Sequence, residues 1–442
     1  VAIVRPGPIH GGMVHPYLRR RNGEEPISYA HPSLDEILKR TLGVPLFQEQ
    51  VMQIAIAGAG YSGGDADQLR RDMAAWRKDG RLLRHRERLL AGFARNGIAL
   101  EFGEALFEQI KGFGEYGFPE SHAASFALLV YASAWQKTHF PAYFAVALLN
   151  SQPMGFYSPH SILRDVQAHG VSVRDVDVRI SDWDHRVEGP VAAREVRLGF
   201  RLVKQLSHRM VNRLMFERAQ RNFSDLEDFR LRVQPSREEF AVLAESGALE
   251  SLKADRRQAL WAARQPALGP LFEGGSMLQN KGAADAQLPA ASRGTRLRFD
   301  YDTKGLCLTD HPMLHLRKWL GARRVITANT LCCHRRGERI AVAGLVLCRQ
   351  KPYTASGVLF ITLEDETGPI NLIVRQEVQA RYGMMLNRAS LLFARGRLER
   401  TEANARKQQE ADWVPVIHLL AEEFEQLDHG RRELGQFSRN FH

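Results

Sequence analysis

Residues 339–374, RIAVAGLVLCRQKPYTASGVLFITLEDETGPINLIV, decide the fold of the C-terminal part of the chain, because they contain strand-like runs separated by turn signals. Two further runs of the same kind follow. The five runs are Ile340–Cys348, Val358–Glu364, Ile370–Val374, Ser390–Glu399 and Val414–Leu420. Five short strands within about 80 residues are typical of a small closed barrel. The sequence therefore predicts a five-stranded OB-fold barrel over residues 336–425.

The chain before this barrel has a helical pattern and is interrupted by one segment rich in Gly, Ala, Pro, Ser and Gln, which is typical of a linker. The predicted fold class is multidomain α+β: a mostly helical first part, a helical module, and the barrel. The predicted divisions are a helical region 1–155, a helical module with its connecting segment 156–263, a linker 264–298, a connecting segment 299–335, the barrel 336–425 and a tail 426–442.

Capping signals and apolar periodicity locate the helices. The predicted N-terminal helices are 33–41, 48–58, 65–78, 81–95, 101–111, 121–138 and 141–151. Ser33 with Glu36 forms a capping-box pattern, as do Ser236 and Glu239, and Pro141 suits a first turn. Gly247 is a stop signal. The apolar stretch Ala123–Trp135 predicts a buried helix, and core packing is the favoured role of the aromatic residues Trp135, Phe140, Tyr143 and Phe144.

Composition favours an anionic partner. The chain of 442 residues carries a formal net charge of +11, and nucleic acid is a common partner of large basic proteins. Four cysteines without a CxxC pair support neither a zinc site nor a disulfide framework, which favours a reducing cytoplasm. No apolar run approaches the roughly 20 residues that span a bilayer, so no membrane association is expected. Because the chain begins Val1-Ala2-Ile3-Val4 without Met, we expect a truncated sequence.

A basic stretch between residues 70 and 95 is the first candidate for phosphate contact. Its arginines recur at helical spacing, and guanidinium forks bind phosphate oxygens. A solvated basic helix is the alternative. The candidate DNA-binding residues here are Arg77, Arg81, Arg84 and Arg88.

The glycine- and aromatic-rich loop Gly112–His122 is the second candidate. It leads directly into a predicted helix at Ser121, and a helix N-terminus favours an anion. The alternative is that the aromatic residues fill a core and Ser121 only caps its helix.

Charged and aromatic residues also interleave on the first two barrel strands. This pattern suits base stacking and phosphate contact in a groove for single-stranded nucleic acid. The residues concerned are Arg349, Lys351, Tyr353 and Phe360.

Several motifs, in order along some 120 residues, resemble the C-family replicative DNA polymerases of bacteria, the DNA polymerase III alpha-subunit-like family. The matching motifs are residues 3–9 (IVRPGPI), 43–52 (GVPLFQEQVM), 59–62 (AGYS), 67–71 (DQLRR) and 114–118 (GEYGF). Two further stretches, 13–21 (MVHPYLRRR) and 119–123 (PESHA), look like the error-prone branch of that family.

The resemblance implies that residues 1–155 are the fingers region and that Arg70 and Arg71 face the triphosphate of the incoming dNTP. It places Tyr116, Ser121 and His122 near that pocket or the template. Residues 190–255 would be a helix-hairpin-helix module that binds the backbone of primer-template DNA, with Lys204 and His208 at its hairpin. That hairpin, residues 204–208 (KQLSH), replaces the glycine-containing turn expected of the motif.

The same resemblance implies translesion synthesis with Mg²⁺ held by palm aspartates. The pairs Asp65/Asp67, Asp175/Asp177 and Asp182/Asp184 have the required spacing, but all follow the motif that begins the fingers, so we expect no catalytic residue, no metal ligand and no activity in this chain alone.

The protein partners and the class of function both stay open. Residues 268–272 (LGPLF) fall where the family can carry a sliding-clamp peptide, with a plain linker as the alternative; other translesion proteins are further candidate partners. A non-enzymatic DNA-binding accessory protein is the rival function, and a basic scaffold for protein partners alone is a weaker third.

Overall fold

The computed structural model describes residues 14–29, 31–79, 83–113, 119–155, 157–252, 255–264, 288–351, 357–400 and 416–427, without some side chains inside these ranges. Among the predicted features, Arg81, Tyr116, Tyr353, the segment 268–272 and the side chain of Arg77 lie outside this description. The chain forms two compact units, an N-terminal unit (Val1–Ala134 with Lys351–Gly357) and a C-terminal unit (Trp135–Gln350 with Val358–His442).

The N-terminal unit is helical. Its helices are α1 (Val14–Arg21), α2 (Asp35–Leu38, flanked by 3-10 turns), α3 (Gln48–Ala59), α4 (Gly63–Asp79), α5 (Leu83–Arg95), α6 (Leu100–Phe113) and the first part of α7 (Glu120–His139). Their core contains the fully buried Ile54, Leu69, Phe93 and Phe107.

The fully buried Gln50 explains the polar character of the motif 43–52. Its Oε1 accepts the backbone N–H groups of Leu46 at 2.9 Å and Phe47 at 3.1 Å, and its Nε2 donates to Thr41 Oγ1 at 2.8 Å. A buried amide is tolerated only when such partners satisfy it. Gln50 thus fixes the chain entering α3.

Three sequence predictions are wrong in this unit or just after it. The N-cap of the turn before α2 is His31, whose Nδ1 accepts the N–H of Ser33, so Ser33 and Glu36 form no capping box.

The helix α7 was expected to be buried, yet none of its described residues is. Its apolar residues surround the helix, a pattern typical of a larger core, and no described element covers them. The exposed apolar side chains of α7 are Phe126, Leu128, Leu129, Val130, Tyr131 and Trp135. Core packing is wrong for Phe140 and Tyr143 as well, since both are exposed, while Phe144 is half-buried.

The C-terminal unit begins with a helical module. Its elements are α8 (Pro141–Asn150), α9 (Pro159–Ala168), β1 (Ser172–Arg174), β2 (Arg186–Glu188), β3 (Glu195–Arg197), α10 (His208–Gln220), α11 (Leu226–Val233), α12 (Arg237–Ser246) and α13 (Arg256–Arg264). The three short strands pair in the order β1-β3-β2 and were not expected from the sequence. The predicted signals at Pro141, Ser236 with Glu239, and Gly247 are confirmed.

A buried ionic cluster joins this module to the next helix, α14 (Arg293–Lys304). Asp300, itself buried, accepts Arg256 at 2.7 Å and lies 3.0 Å from the Lys304 ammonium, whose side chain is fully buried. Lys304 also reaches Asp175 at 2.5 Å. Burial opposes the charge of Lys304, but the two carboxylates outweigh it and raise its pKa. Buried charges persist only with such partners.

α14 begins at Arg293, inside the range predicted as linker, because Ser292 accepts the N–H of Thr295 and caps it. α15 (Pro312–Ala322) follows, and then a closed barrel of five strands. The strands are β4 (Arg339–Gln350), β5 (Leu359–Glu364), β6 (Pro369–Val374), β7 (Leu391–Arg400) and β8 (Ile417–Gln426), with α16 (Gln376–Arg388) between β6 and β7.

The barrel closes in the order β4-β5-β6-β8-β7, with β6 and β8 parallel and the other pairs antiparallel. At the β7–β8 register shift, a Cβ on Gly396 would lie 2.0 Å from the Leu420 carbonyl oxygen, so only glycine lets the strands approach. The α+β multidomain fold with a terminal five-stranded barrel is confirmed. In the described residues, no helix has the length and apolar character to cross a membrane.

Candidate nucleic-acid interface

Arg70 and Arg71 converge on one carboxylate in α4. Arg70 Nε donates to Asp67 Oδ1 at 3.0 Å, and Arg71 Nη2 donates to Asp67 Oδ2 at 2.6 Å. The hydrogen bond from Arg70, followed by that from Arg71, holds the pKa of Asp67 below its ordinary value. The side chains of the two arginines are 41% and 65% exposed. Two guanidinium groups are therefore held side by side, accessible, around an oxygen pair that a phosphate could replace.

Arg88 has a different environment. It donates to both oxygens of Asp65, at 3.0 and 2.6 Å, and lies 4.3 Å above the ring of Tyr61. The Arg88 hydrogen bond, with help from Ser62, lowers the pKa of Asp65, and burial raises the pKa of Tyr61 to about 12. These contacts give Arg88 a packing role between α5 and the start of α4. Its contact with DNA stays a prediction.

The other arginines of the basic stretch are divided between two helices, since α4 ends at Asp79 and α5 begins at Leu83. Arg84 is exposed on α5 and forms no ion pair within the described part of the chain. Arg77 belongs to α4 by its backbone.

The N-terminus of α7, where the sequence indicates an anion site, already holds a carboxylate. Glu49 accepts the Glu120 backbone N–H at 3.0 and 2.9 Å, and the Glu120 side chain accepts Arg40 at 2.7 Å. Ser121 and His122 follow and are exposed; the His122 ring lies 4.3 Å from that of Phe126. Glu49 is a residue that the sequence did not single out, because its partner is 71 positions away.

The hairpin before α10 contains the exposed Lys204 and a left-handed Gln205 with φ of 63°. Gln205 thus has a left-handed backbone conformation that is usually adopted by glycine. Ser207 caps α10 by accepting the Met210 N–H at 3.1 Å, and its hydroxyl donates to Glu239 at 2.6 Å. The hairpin is therefore fixed to the start of α12.

His208, on the first turn of α10, is exposed, and its ring lies edge-on to Trp183 at 4.5 Å. On the same helix Arg209 and Arg213 are exposed and form no ion pair with any described carboxylate. Neither arginine is among the residues predicted from the sequence, although their i, i+4 spacing is typical of one face of a helix.

On the barrel, Arg349 donates to the carbonyl oxygens of Leu386 and Ala389 at the end of α16, and burial lowers its pKa. Its guanidinium is thus engaged in capping a helix. Lys351 is exposed, and Phe360 is half-buried on β5 opposite Gln350.

The six aspartates with Asp-x-Asp spacing each have a partner within their own unit. The pairs are Asp65–Arg88, Asp67–Arg70, Asp175–Lys304, Asp177–Ser251, Asp182–Arg218 and Asp184–Arg201. Among the residues the structure describes, no group of three or more His, Cys, Asp or Glu side chains could hold a metal ion. The described residues therefore do not fit Mg²⁺.

Comparison with known proteins identifies these regions. The model of the bacterial DNA polymerase III alpha subunit finger domain matches residues 1–97, and a helix-hairpin-helix model matches residues 170–259. The error-prone DNA polymerase of Pseudomonas fluorescens Pf-5 is 51% identical over 92% of this chain. The chain corresponds to a portion of a bacterial error-prone DNA polymerase. Similar relatives occur in Alkalilimnicola ehrlichii, at 48% identity over 96% of the chain, and Pseudomonas paraeruginosa, at 46% over 100%.

The chain spans 40% to 42% of the length of these curated error-prone DNA polymerases. Arg70 and Arg71 lie within the stretch that matches the polymerase finger domain, and Lys204 and His208 within the helix-hairpin-helix match. Ser121 and His122 lie beyond the finger match.

Proposed function

We propose that this chain supplies dNTP-triphosphate contacts and primer-template binding to an error-prone DNA polymerase that acts in damage-induced synthesis. The convergence of Arg70 and Arg71 on Asp67, inside the finger match, carries the proposal. Guanidinium forks bind phosphate oxygens bidentately, and here two of them are already oriented by one carboxylate. An incoming triphosphate takes the place of Asp67.

Mg²⁺ in such a polymerase activates the primer hydroxyl and stabilises the leaving pyrophosphate. Because the six aspartates with Asp-x-Asp spacing are each engaged with arginine, lysine or serine, we place the metal ligands outside this chain and expect no primer extension by the chain alone. The residues of this chain bind and orient the dNTP and the primer-template. Ser121 and His122, exposed at the start of α7, are proposed to face the nucleotide or template.

Duplex binding is assigned to the hairpin and α10. The helix N-terminus at Ser207 carries partial positive charge, and Lys204, His208, Arg209 and Arg213 are exposed around it. Contacts of this kind bind the phosphate backbone without reading sequence.

The deciding experiment measures triphosphate binding to the full 442-residue chain by calorimetry, with dATP and inorganic triphosphate as probes and without metal. The double variant R70Q/R71Q should bind at least tenfold more weakly, whereas D67N should bind as well or better because it removes the carboxylate charge that competes with the triphosphate. Arg95→Gln, exposed at the end of α5, is the matched charge control. Equal binding by wild type and R70Q/R71Q would refute the assignment.

The second candidate is a non-enzymatic DNA-binding accessory protein that uses the helix-hairpin-helix module and the barrel. The engaged aspartates favour it. Two results together would support this candidate over the polymerase role. The first is primer-template binding whose slope of log affinity against log salt falls when the hairpin is mutated. The second is triphosphate binding that R70Q/R71Q does not change.

A further inference from the structure

A basic, partly aromatic pocket lies between α13 and α14. Its volume is about 520 Å³, within the range of roughly 300–1,000 Å³ for ligand sites. The lining residues that matter are Arg257, Leu260, Trp261, Arg264, Arg298 and Phe299. Trp261 is 40% exposed, whereas Phe299 is buried.

The three lining arginines are exposed and form no ion pair with a carboxylate of the described residues. Arg257 is positioned by a hydrogen bond to the Pro289 carbonyl oxygen at 3.1 Å. A further guanidinium, that of Arg237, donates to the Arg264 carbonyl oxygen at 2.5 Å and adds to the positive charge. No carboxylate lines the pocket among the described residues.

The neighbouring positions Arg256 and Arg257 show how α13 divides its charge. Arg256 is buried and paired with Glu250 and Asp300, at 2.7 Å each. Arg257, one residue later, faces the pocket without such a partner. The ion pairs of Arg256 therefore explain its charge, whereas no carboxylate of the described residues pairs with Arg257.

The charges of Arg264 and Arg298 act on the carboxyl group of Glu245. Burial, helped by Asp302, raises the pKa of its carboxyl, and Arg264 and Arg298 act in the opposite direction. Glu245 does not line the pocket, so the pocket remains a site for an anion.

We infer that this pocket binds one unpaired nucleotide of a DNA strand, with its base against Trp261 and its phosphates on Arg257 and Arg298. A partly exposed indole flanked by guanidinium groups is the arrangement that single-strand binding uses. Duplex bases cannot reach Trp261, because their faces are covered by neighbouring base pairs. The inference goes beyond the proposed function and rests on it only in taking DNA as the ligand.

The test uses the full chain, fluorescence anisotropy, a labelled ten-nucleotide oligothymidylate and a labelled blunt duplex. Trp261→Ala should weaken binding to the single strand by about 5- to 150-fold, since stacking contributes that much per base. Trp261→Phe keeps an aromatic face and should stay within about threefold. Binding to the blunt duplex should change by less than twofold in either variant.

The arginines have their own readout. R257Q/R298Q should lower the slope of log affinity against log salt by about 1.4 for the single strand, because each phosphate contact contributes about 0.7. Arg293→Gln, on the first turn of α14 and 3.5 Å from Asp310, does not line the pocket and should leave the slope unchanged.

Photocrosslinking with 5-iodouracil oligonucleotide and mass mapping gives a result that does not depend on folding of a variant. A crosslink at Trp261 supports the site. An unchanged single-strand affinity in Trp261→Ala, or a crosslink mapped only elsewhere, overturns it. If the wild-type chain crosslinks at Trp261 but does not bind the blunt duplex, the result would instead count against the hairpin assignment in the proposed function.

Discussion

Both carboxylate oxygens of Glu49 accept the backbone N–H of Glu120, at 3.0 and 2.9 Å, so a side chain of α3 caps the first turn of α7. The first N–H groups of a helix lack partners within the helix and carry partial positive charge. Glu49 satisfies one of them and supplies the opposite charge. It lies in the motif 43–52, next to the buried Gln50.

Replacing Glu49 should therefore release the start of α7. We expect Glu49→Ala to cost about 1 kcal/mol, in the range for lost helix caps, and Glu49→Gln to cost less because it keeps an acceptor. Hydrogen exchange of the Glu120 amide should accelerate in the same order. Glu36→Ala is the control, since the Glu36 side chain is 89% exposed and its ion pair with Lys39 is long, at 3.7 Å. Unchanged exchange at Glu120 in Glu49→Ala would contradict the capping role.

His185 should make the stability of the C-terminal unit depend on pH. Its Nδ1 accepts the Gly199 N–H at 3.1 Å, and burial, reinforced by the nearby Arg201, lowers its pKa from 6.5 to about 4. Between these values the unfolded chain binds more protons than the folded one. Stability is therefore complete above pH 6.5 and falls as the pH drops toward 4, by at most about 3 kcal/mol.

Urea unfolding at a series of pH values tests this, with His185→Asn as the variant. Asparagine can accept the Gly199 N–H but does not titrate, so the pH dependence between 6.5 and 4 should flatten. His139→Asn, at the exposed end of α7, should retain the wild-type dependence. The hypothesis fails if both variants follow the wild-type curve.

The cluster around Asp300 should be sensitive to the loss of one partner. Asp300→Asn leaves the buried Arg256 and Lys304 with too little negative charge and should cost about 3 kcal/mol. Calorimetry should detect a lower unfolding temperature. Asp302→Asn, exposed on the same helix, should change little. The triple variant R256M/D300L/K304M should be closer to wild type than Asp300→Asn, because apolar side chains leave no buried charge unpaired.

Gln205 occupies a position that favours glycine. We expect Gln205→Gly to stabilise the chain by up to about 1 kcal/mol, because it removes the steric cost of the left-handed conformation. Gln205→Val should destabilise it by about 1–2 kcal/mol. Gln258→Gly in α13 is the opposite control and should cost about 1 kcal/mol. Equal melting temperatures of the Val and Gly variants would contradict the φ argument.

Local signals allowed much of the fold to be predicted. Pro141 and the pair Ser236 and Glu239 act within one helical turn, so their sequence context is sufficient. The barrel strands were predicted because alternation and turns repeat along the chain. The sheet β1-β3-β2 was not, since each strand has three residues and β1 pairs with a strand beyond β2. Ser33 failed as a cap because His31 supplies the acceptor first.

The candidate sites divide in the same way. Arg70 and Arg71 were identified by resemblance, and their spacing from Asp67 allows the pair that the structure contains. Glu49 at the start of α7, and the pocket around Trp261, depend on packing between distant segments. A sequence pattern does not encode such proximity, whereas a resemblance can imply it only where the family is already understood.

Arg264, the last residue of α13, and Leu288 both line the pocket beside Trp261, so these two positions lie close together. The ion pair between Arg256 and Asp300, at 2.7 Å, joins α13 to α14 directly. The entropic cost of a chain that connects two neighbouring points rises only with the logarithm of its length. A peptide inserted between positions 264 and 288 is therefore expected to leave the packing of α13 against α14 unchanged.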